Sequence, residues 1–364
     1  MLCLQLHDGP GEIAGSRHVA WEVTDGATSQ ANGCIDIPAS LGHSLRDKLR
    51  WYVEEFPNAP FDPAPAIAAR IASQLQDAGE DMFAALMNAD TTGWLARCLR
   101  DELGQTRVAV MSDAAVAPAW EVFRGPETGA RPALAAKALI RQVALPRAGA
   151  VDPPADSTGA RILLVVSRPA REDDVPFQSV ARPLLEALSG PAPFELEVLR
   201  PATWGQLRSV LRDAHKRGRP FTAVHFDGHG VVHEGRGYLV FESADGPRPA
   251  WVDGTSFGRT LSDAGVRLAL LNACRSAAAS SGAAAHSLAE EAMIAGLSGV
   301  VAMQFNLFVA AARHFVGELY ARLGVGKEPL RTCAEILEGD HDDLPTAAIY
   351  FAGGIDEIRA RAQQ

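Results

Sequence analysis

FTAVHFDGHG (residues 221–230) and VRLALLNAC (266–274) decide how this chain is read. Each opens as a short apolar run of the kind that forms a strand buried on both faces. Each ends in a side chain able to do chemistry, His229 in the first and Cys274 in the second. Further strand candidates flank the pair: RILLVVS (161–167), FELEVLR (194–200) and LSGVVAMQF (297–305). Helical stretches lie between them, at SVARPLLEALS (179–189), TWGQLRSVLRDAHKRG (203–218), TSFGRTLSDAG (255–265), HSLAEEAMIAG (286–296) and AARHFVGELYARLG (311–324). This alternation predicts an α/β fold, with a mostly parallel central sheet and helices on both faces, over residues 155–364.

In open α/β sheets, sites form outside the C-terminal ends of the strands, which is where His229 and Cys274 fall. Cysteine supplies a thiolate that attacks a carbonyl carbon, and an imidazole accepts the thiol proton or orients the carbonyl. Gly228 and Gly230 on either side of the histidine suit a sharp turn and a close approach by a substrate backbone. The backbone N–H groups of Gly230 and Cys274 can hold a developing oxyanion. Losing one such donor typically costs about 3 kcal/mol of barrier.

Working outward, residues 146–160 (PRAGAVDPPADSTGA) have the composition of a linker. Before it lies a region, residues 1–150, of mixed α/β character. Its first fifty residues read as short strands and turns, with partial alternation in RHVAWEVT (17–24). A Pro-rich break follows LRWYVEEFP (49–57), then two helices, one of them placing Ile67, Ile71, Leu75, Phe83 and Leu86 on one face. TRVAVMS (106–112) is a strand candidate.

The 364 residues are 47% hydrophobic and 21% charged with a net charge of −10, an ordinary globular balance with no basic stripe, so no nucleic-acid partner is expected. Five widely spaced cysteines, without a CxxC pair, predict neither a disulfide framework nor a cysteine metal site. No apolar run is long enough to span a bilayer, and MLCLQLHDGPGE has no leader-like pattern, which predicts a cytoplasmic protein. No cofactor is expected. His225, His229 and His233 recur every fourth residue, but that spacing gathers ligands only on a helix, and the glycines here point to strand and turn. His225, inside its apolar run, reads as a core histidine.

VHFDGHG (224–230) and LLNACRSAAA (270–279) resemble the histidine and cysteine motifs of the CHAT peptidases, a bacterial branch of the caspase-like clan. The separation of 45 residues matches a caspase pattern of roughly 50. APAWEVFRGPETG (117–129) resembles the family's proline-tryptophan-glutamate segment, with Ala119 interposed between Pro118 and Trp120. SLAEEAMIAGLSGVVAMQF (287–305), AAIYFAGG (347–354) and LRWYVEEFP resemble further family segments, so the likeness runs from about residue 49 to the end. It implies a caspase-like α/β/α sandwich, the N-terminal region packed on it or completing it. It implies a cysteine endopeptidase with a Cys274–His229 dyad and Gly230 as oxyanion donor. Asn272, two residues before the cysteine, lines the pocket for the substrate residue preceding the cut, and Gln304 and Phe305 contact the peptide. A neutral amide at 272 argues against cleavage after Lys or Arg, for which relatives often place a carboxylate there. The resemblance also implies a protein substrate, such as a gasdermin-like pore-former, an activating protein or signal, and a role in antiviral defence or programmed cell death.

Two other readings compete. The same fold can serve as a non-catalytic interaction module. GTSFG (254–258) matches the nucleophile elbow of serine hydrolases, which would make Ser256 an esterase nucleophile, but GPRPAWVDG before it reads poorly as the strand an elbow needs.

Overall fold

A computed structural model describes residues 2–11, 16–38, 43–112, 119–126, 131–142, 160–169, 194–243, 248–273 and 287–303. Most of the linker, the predicted helices at 179–189 and 311–324 and the closing strand at 347–354 lie outside these residues. The described chain divides into two compact units, residues 2–142 and 160–303.

The first unit is built on strands longer than the short ones expected. β1 (Leu2–Pro10), β2 (Ser16–Asp25) and β3 (Thr28–Pro38) form an antiparallel meander. β2 and β3 are joined by a tight turn in which Gly26 takes a left-handed conformation (φ 60°). Burial alternates strictly from Ser16 to Thr24, so one face of the sheet packs and the other meets solvent. Helix α1 (His43–Arg50) precedes the Pro-rich break, and α2 (Ala64–Asn88) follows it with Pro65 in its first turn. α2 buries Ile71, Leu75, Met82, Phe83 and Leu86, close to the face read from periodicity. β4 (Thr106–Ser112) then returns parallel to β1, and β5 (Ala138–Gln142) parallel to β4, giving the order β3-β2-β1-β4-β5. Leu4, Leu6, Trp21, Val108 and Val110 of this sheet share a core with Phe83 and Leu86 of α2 and with Trp120 and Phe123.

The second unit holds the predicted parallel sheet. β6 (Ala160–Val166), β7 (Phe194–Leu199), β8 (Ala223–Asp227), β12 (Leu268–Asn272) and β13 (Gly299–Ala302) run in the order β13-β12-β8-β6-β7, all parallel. Three helices carry side-chain caps that mark their starts. α3 (Trp204–Lys216) has a Thr203–Gln206 capping box, α4 (Gly254–Asp263) has Asp253, and α5 (Leu288–Ile294) has a Ser287–Glu290 box. Leu163, Val165, Val224, Phe226, Ala269 and Leu271 form one face of the sheet and share a core with Leu207, Leu211, Phe257, Leu261, Leu288 and Ala292 of these helices. The period-2 alternation sends Ile162, Leu164, Val166, His225 and Asp227 to the opposite face, where they are also buried.

The chain between β8 and α4 departs from the sequence reading. Where the sequence reading placed no element, it forms a three-stranded antiparallel sheet in the order β11-β10-β9, from β9 (His229–His233), β10 (Arg236–Phe241) and β11 (Ala250–Asp253). Glu234 and Gly235, at φ 49° and 77°, make the two-residue turn that closes β9 on β10. The predicted poor strand before GTSFG is therefore corrected: four of its residues, Ala250–Asp253, pair with β10.

Candidate functional site

Three central strands of the parallel sheet end at one level. Val166 of β6 stands beside Asp227 of β8, and Asp227 beside Asn272 of β12. Ser167-Arg168 follow the first strand and Gly228-His229 the second, while Cys274 lies two residues beyond the third in the chain. The backbone holds the ends together, Ser167 N–H donating to Asp227 O at 2.9 Å and Gly228 N–H to Asn272 O at 3.2 Å. Gly228 has no room for a side chain, since a Cβ there would fall 2.8 Å from the Phe226 ring and 3.2 Å from Ser167 Cβ. β7 and β8 lie on opposite sides of β6, so the strand order reverses between β6 and β8. That reversal opens the crevice in which doubly wound sheets bind their ligands.

A buried charged cluster spans this crevice. Arg168 Nη2 donates to Asp227 Oδ2 at 2.5 Å, and Asn272 Nδ2 donates to Asp227 Oδ1 at 2.8 Å. Arg168 Nη1 donates to the carbonyls of Ser167 (2.9 Å) and Asp227 (2.8 Å). Glu242, just past β10, accepts from the Arg168 backbone N–H at 3.1 Å and from Ala202 N–H at 3.4 Å. Ser167 Oγ donates to Val240 O at 2.8 Å, which ties the end of β6 to the antiparallel sheet. Burial pushes the Asp227 carboxyl up from its ordinary value, opposed by the Arg168 charge, by hydrogen bonds from Arg168 and Asn272 and by the charge of nearby His229. His225, one turn of the pleat below Asp227, is held down to about 3 by burial alone and stays a neutral core residue.

His229 and Gly230 begin β9, half-buried, opposite Val240 and Leu239 of β10. Asn272 closes β12, also half-buried. The structure thus brings His229, Gly230 and Asn272 to the ends of two adjacent strands. Cys274, Gln304 and Phe305 lie outside the described residues. Arg168 and Asp227 were not singled out from the sequence. The available signal was a charged residue at the end of an apolar run, in RILLVVSR and in AVHFD, where a solvated end or a partner is required. Among the described residues, no three His, Cys, Asp or Glu side chains stand close enough together to hold a metal ion.

GTSFG is built for packing. A Cβ at Gly254 would fall 2.3 Å from Leu288 O, and one at Gly258 would fall 2.4 Å from Ala292 O, so both glycines let α4 lie against α5. Ser256 sits inside the first turn of α4, its N–H and Oγ each 2.9 Å from the Asp253 carboxylate, as a helix start requires. A nucleophile elbow would instead hold it on the turn between strand and helix. The tryptophan-glutamate segment is structural as well. Trp120 is buried against Phe123, and Glu121 makes a two-pronged pair with Arg141 at 2.8 and 2.9 Å.

The five-stranded parallel sheet, its helices and a strand-end cluster at the order reversal define a caspase-like α/β protein. A family model described as the CHAT domain matches residues 64–337, well over half of the chain. The chain belongs to the CHAT domain family, which is related to the caspase-like cysteine peptidases. The match begins at the first residue of α2 and so takes in residues of both units. Among the described residues, no helix is long and apolar enough to cross a membrane.

Proposed function

We propose that this chain is a cysteine endopeptidase in which Cys274 attacks the peptide carbonyl and His229 manages the proton. One observation carries the reading. β8 and β12 are adjacent and parallel with Asp227 opposite Asn272, and each chemical residue follows its strand end by the same two-residue step. Membership of a family related to caspase-like peptidases supports the same chemistry. The thiol of Cys274 gives its proton to His229 as sulfur adds to the carbonyl carbon, and the backbone N–H groups of Gly230 and Cys274 hold the oxyanion. Collapse expels the amine, protonated by the imidazolium, and leaves a thioester. Water, deprotonated by His229, then releases the acid and restores the thiol.

In this reading residues 155–364 are the peptidase domain and residues 1–150 an N-terminal α/β region, with Gln304 and Phe305 against the peptide. The substrate is a protein, with a gasdermin-like pore-former as the first to try. The setting is cytoplasmic bacterial defence or programmed cell death, awaiting an activating protein or signal. The test is mass-spectrometric mapping of new termini in a proteome digest by wild type and by Cys274→Ala. A defined set of cuts lost in the variant, a fall of at least about a thousandfold, establishes the peptidase. Equal cutting by both proteins removes Cys274 as nucleophile. If neither protein cuts and a thiol-directed probe fails to prefer Cys274 over the other four cysteines, the non-catalytic reading replaces this one.

A further inference from the structure

We propose that the outer face of the β9-β10-β11 sheet binds a lysine or arginine of the protein substrate, carried a few residues away from the cut, on the rings of Trp251, Tyr238 and His233. The inference rests on the peptidase reading and names a feature of the substrate that the reading leaves open.

The pairing register puts this face beside the chemistry. Residues directly opposite one another in an antiparallel pair point to the same side of the sheet. His229 stands opposite Val240 and Val240 opposite Trp251, so the three make one row across the sheet. The next row holds Val231, Tyr238 and Asp253, and His233 follows opposite Arg236. Leu239, Phe241 and Val252 alternate to the other side, into the core beneath. His229 therefore shares its face with Trp251, two strand spacings or about 10 Å away, and an extended peptide covers that span in about three residues. A chain that reaches the imidazole can reach the indole as well.

The groups on the face select a cation. The Trp251 ring meets His233 edge-on at 5.4 Å and Tyr238 at 5.8 Å, so the cluster draws on all three strands. Trp251 is nevertheless 48% exposed, which leaves ring surface for a partner. Single exposed apolar side chains are ordinary, whereas a contiguous exposed cluster marks an interaction site. The faces of such rings are negative and attract guanidinium and ammonium groups. The charges alongside agree with this. Glu234, at the β9–β10 turn, has a side chain 87% exposed, and its ion-pair contact among the described residues is His233 Nε2 at 3.9 Å. Arg236, the cation within these rows, is already taken, since its Nε donates to Glu291 at 3.0 Å and its Nη2 lies 3.8 Å from Asp253. An acidic segment would meet ring faces and a carboxylate of its own sign, and a purely apolar one would leave Glu234 without a partner. A basic segment is matched by both.

A peptide library with room on both sides of the cut tests this in the full-length protein, by mapping every Cys274-dependent cleavage. Peptides with Lys or Arg about three to five residues from the cut, on one side, should be cleaved about tenfold faster than peptides without. Trp251→Ala and Glu234→Lys should each bring that ratio to within about twofold of unity, while Trp251→Phe, which keeps a ring, should retain most of it. The ratio is read within one variant, so a partial loss of folded protein slows both classes of peptide alike and leaves it unchanged. A wild type without the preference, or a preference that survives Trp251→Ala, overturns the inference and leaves the peptidase standing. So does a dimer that Trp251→Ala splits into monomers in sedimentation, which would give the face to a second copy of this chain. Absence of any Cys274-dependent cut overturns the peptidase reading, and this inference with it.

Discussion

Among the described residues, each unit contains one buried Asp–Arg pair toward the end of its sheet, and the two sit in different surroundings. In the first unit Asp8 of β1 accepts from Arg17 Nε at 2.6 Å, Arg17 Nη2 lies 2.5 Å from the same oxygen as an ion-pair contact, and the Trp120 indole nitrogen is 3.5 Å from the other oxygen. In the second, Asp227 takes Arg168 and Asn272. Burial pushes both carboxyls up from their ordinary value against the pull of their arginines. The chemistry is nearly the same, and the topology is not. Arg17 is a diagonal neighbour of Asp8 across one antiparallel strand pair, so that ion pair locks a meander and its Trp120 lid. Asp227, at the end of β8, gathers partners from the ends of the two parallel strands beside it, at the order reversal and next to half-buried groups. A buried ion pair is weak evidence of function by itself. Its position relative to strand direction is what separates a staple from a site.

The contrast can be broken most directly by removing either carboxylate. Asp8→Ala and Asp227→Ala should each cost about 3–5 kcal/mol, because each strands a buried guanidinium. Chemical denaturation measures the loss, and a cost below about 1 kcal/mol at either site would mean that its arginine escapes to water. Only changes at the second pair should alter Cys274-dependent cleavage, so altered cleavage by a folded Asp8 variant would erase the distinction. The apolar pair Asp8→Leu/Arg17→Met sharpens it, with stability expected within about 1–2 kcal/mol of wild type and unchanged cleavage.

pH probes the second sheet specifically. His225 has a folded value of about 3 against an ordinary 6.5, so the fold favours its neutral form. Its contribution is complete above about pH 6.5 and is lost as pH falls from there toward 3. By pH 5 the loss is about 2 kcal/mol. His225→Gln should flatten this part of the stability profile, and an unchanged slope between pH 7 and pH 5 would refute the assignment. The smallest effect is expected at Ser256→Ala, about 0.5 kcal/mol for one exposed hydroxyl bond, with peptide cleavage unaffected. Loss of activity in that variant would revive the serine reading.

Much of the second unit was legible because its signals are local. Apolar runs of five to seven residues, separated by capped amphipathic segments, can only be buried strands and the helices that cover them. The β9–β10 hairpin was missed because VVHEGRGYLVF opens with exposed, polar-ended residues, and its turn pair, Glu234-Gly235, is a less common choice than Asn-Gly. The GTSFG match looked catalytic or accidental. Its glycines answer to Leu288 and Ala292, more than thirty residues away, a constraint no local pattern can express. In the first unit the long meander read as short strands, because polar residues on its solvent face interrupt every apolar run.

The sequence by itself determined the strands of the parallel sheet and the three capped helices packed on it, the presence of a histidine and a cysteine each two residues beyond an apolar run, and the family resemblance those motifs carry. Local periodicity and residue chemistry are sufficient for that. Only the tertiary structure decided that Arg168, Asp227 and Asn272 meet, because the ion pair joins residues 59 apart and the amide bond residues 45 apart in the chain. Strand order and register bring them together, and these follow from packing the whole sheet. The same folding that hides the pair from water makes its charges cancel, a property that no one of the three residues carries alone.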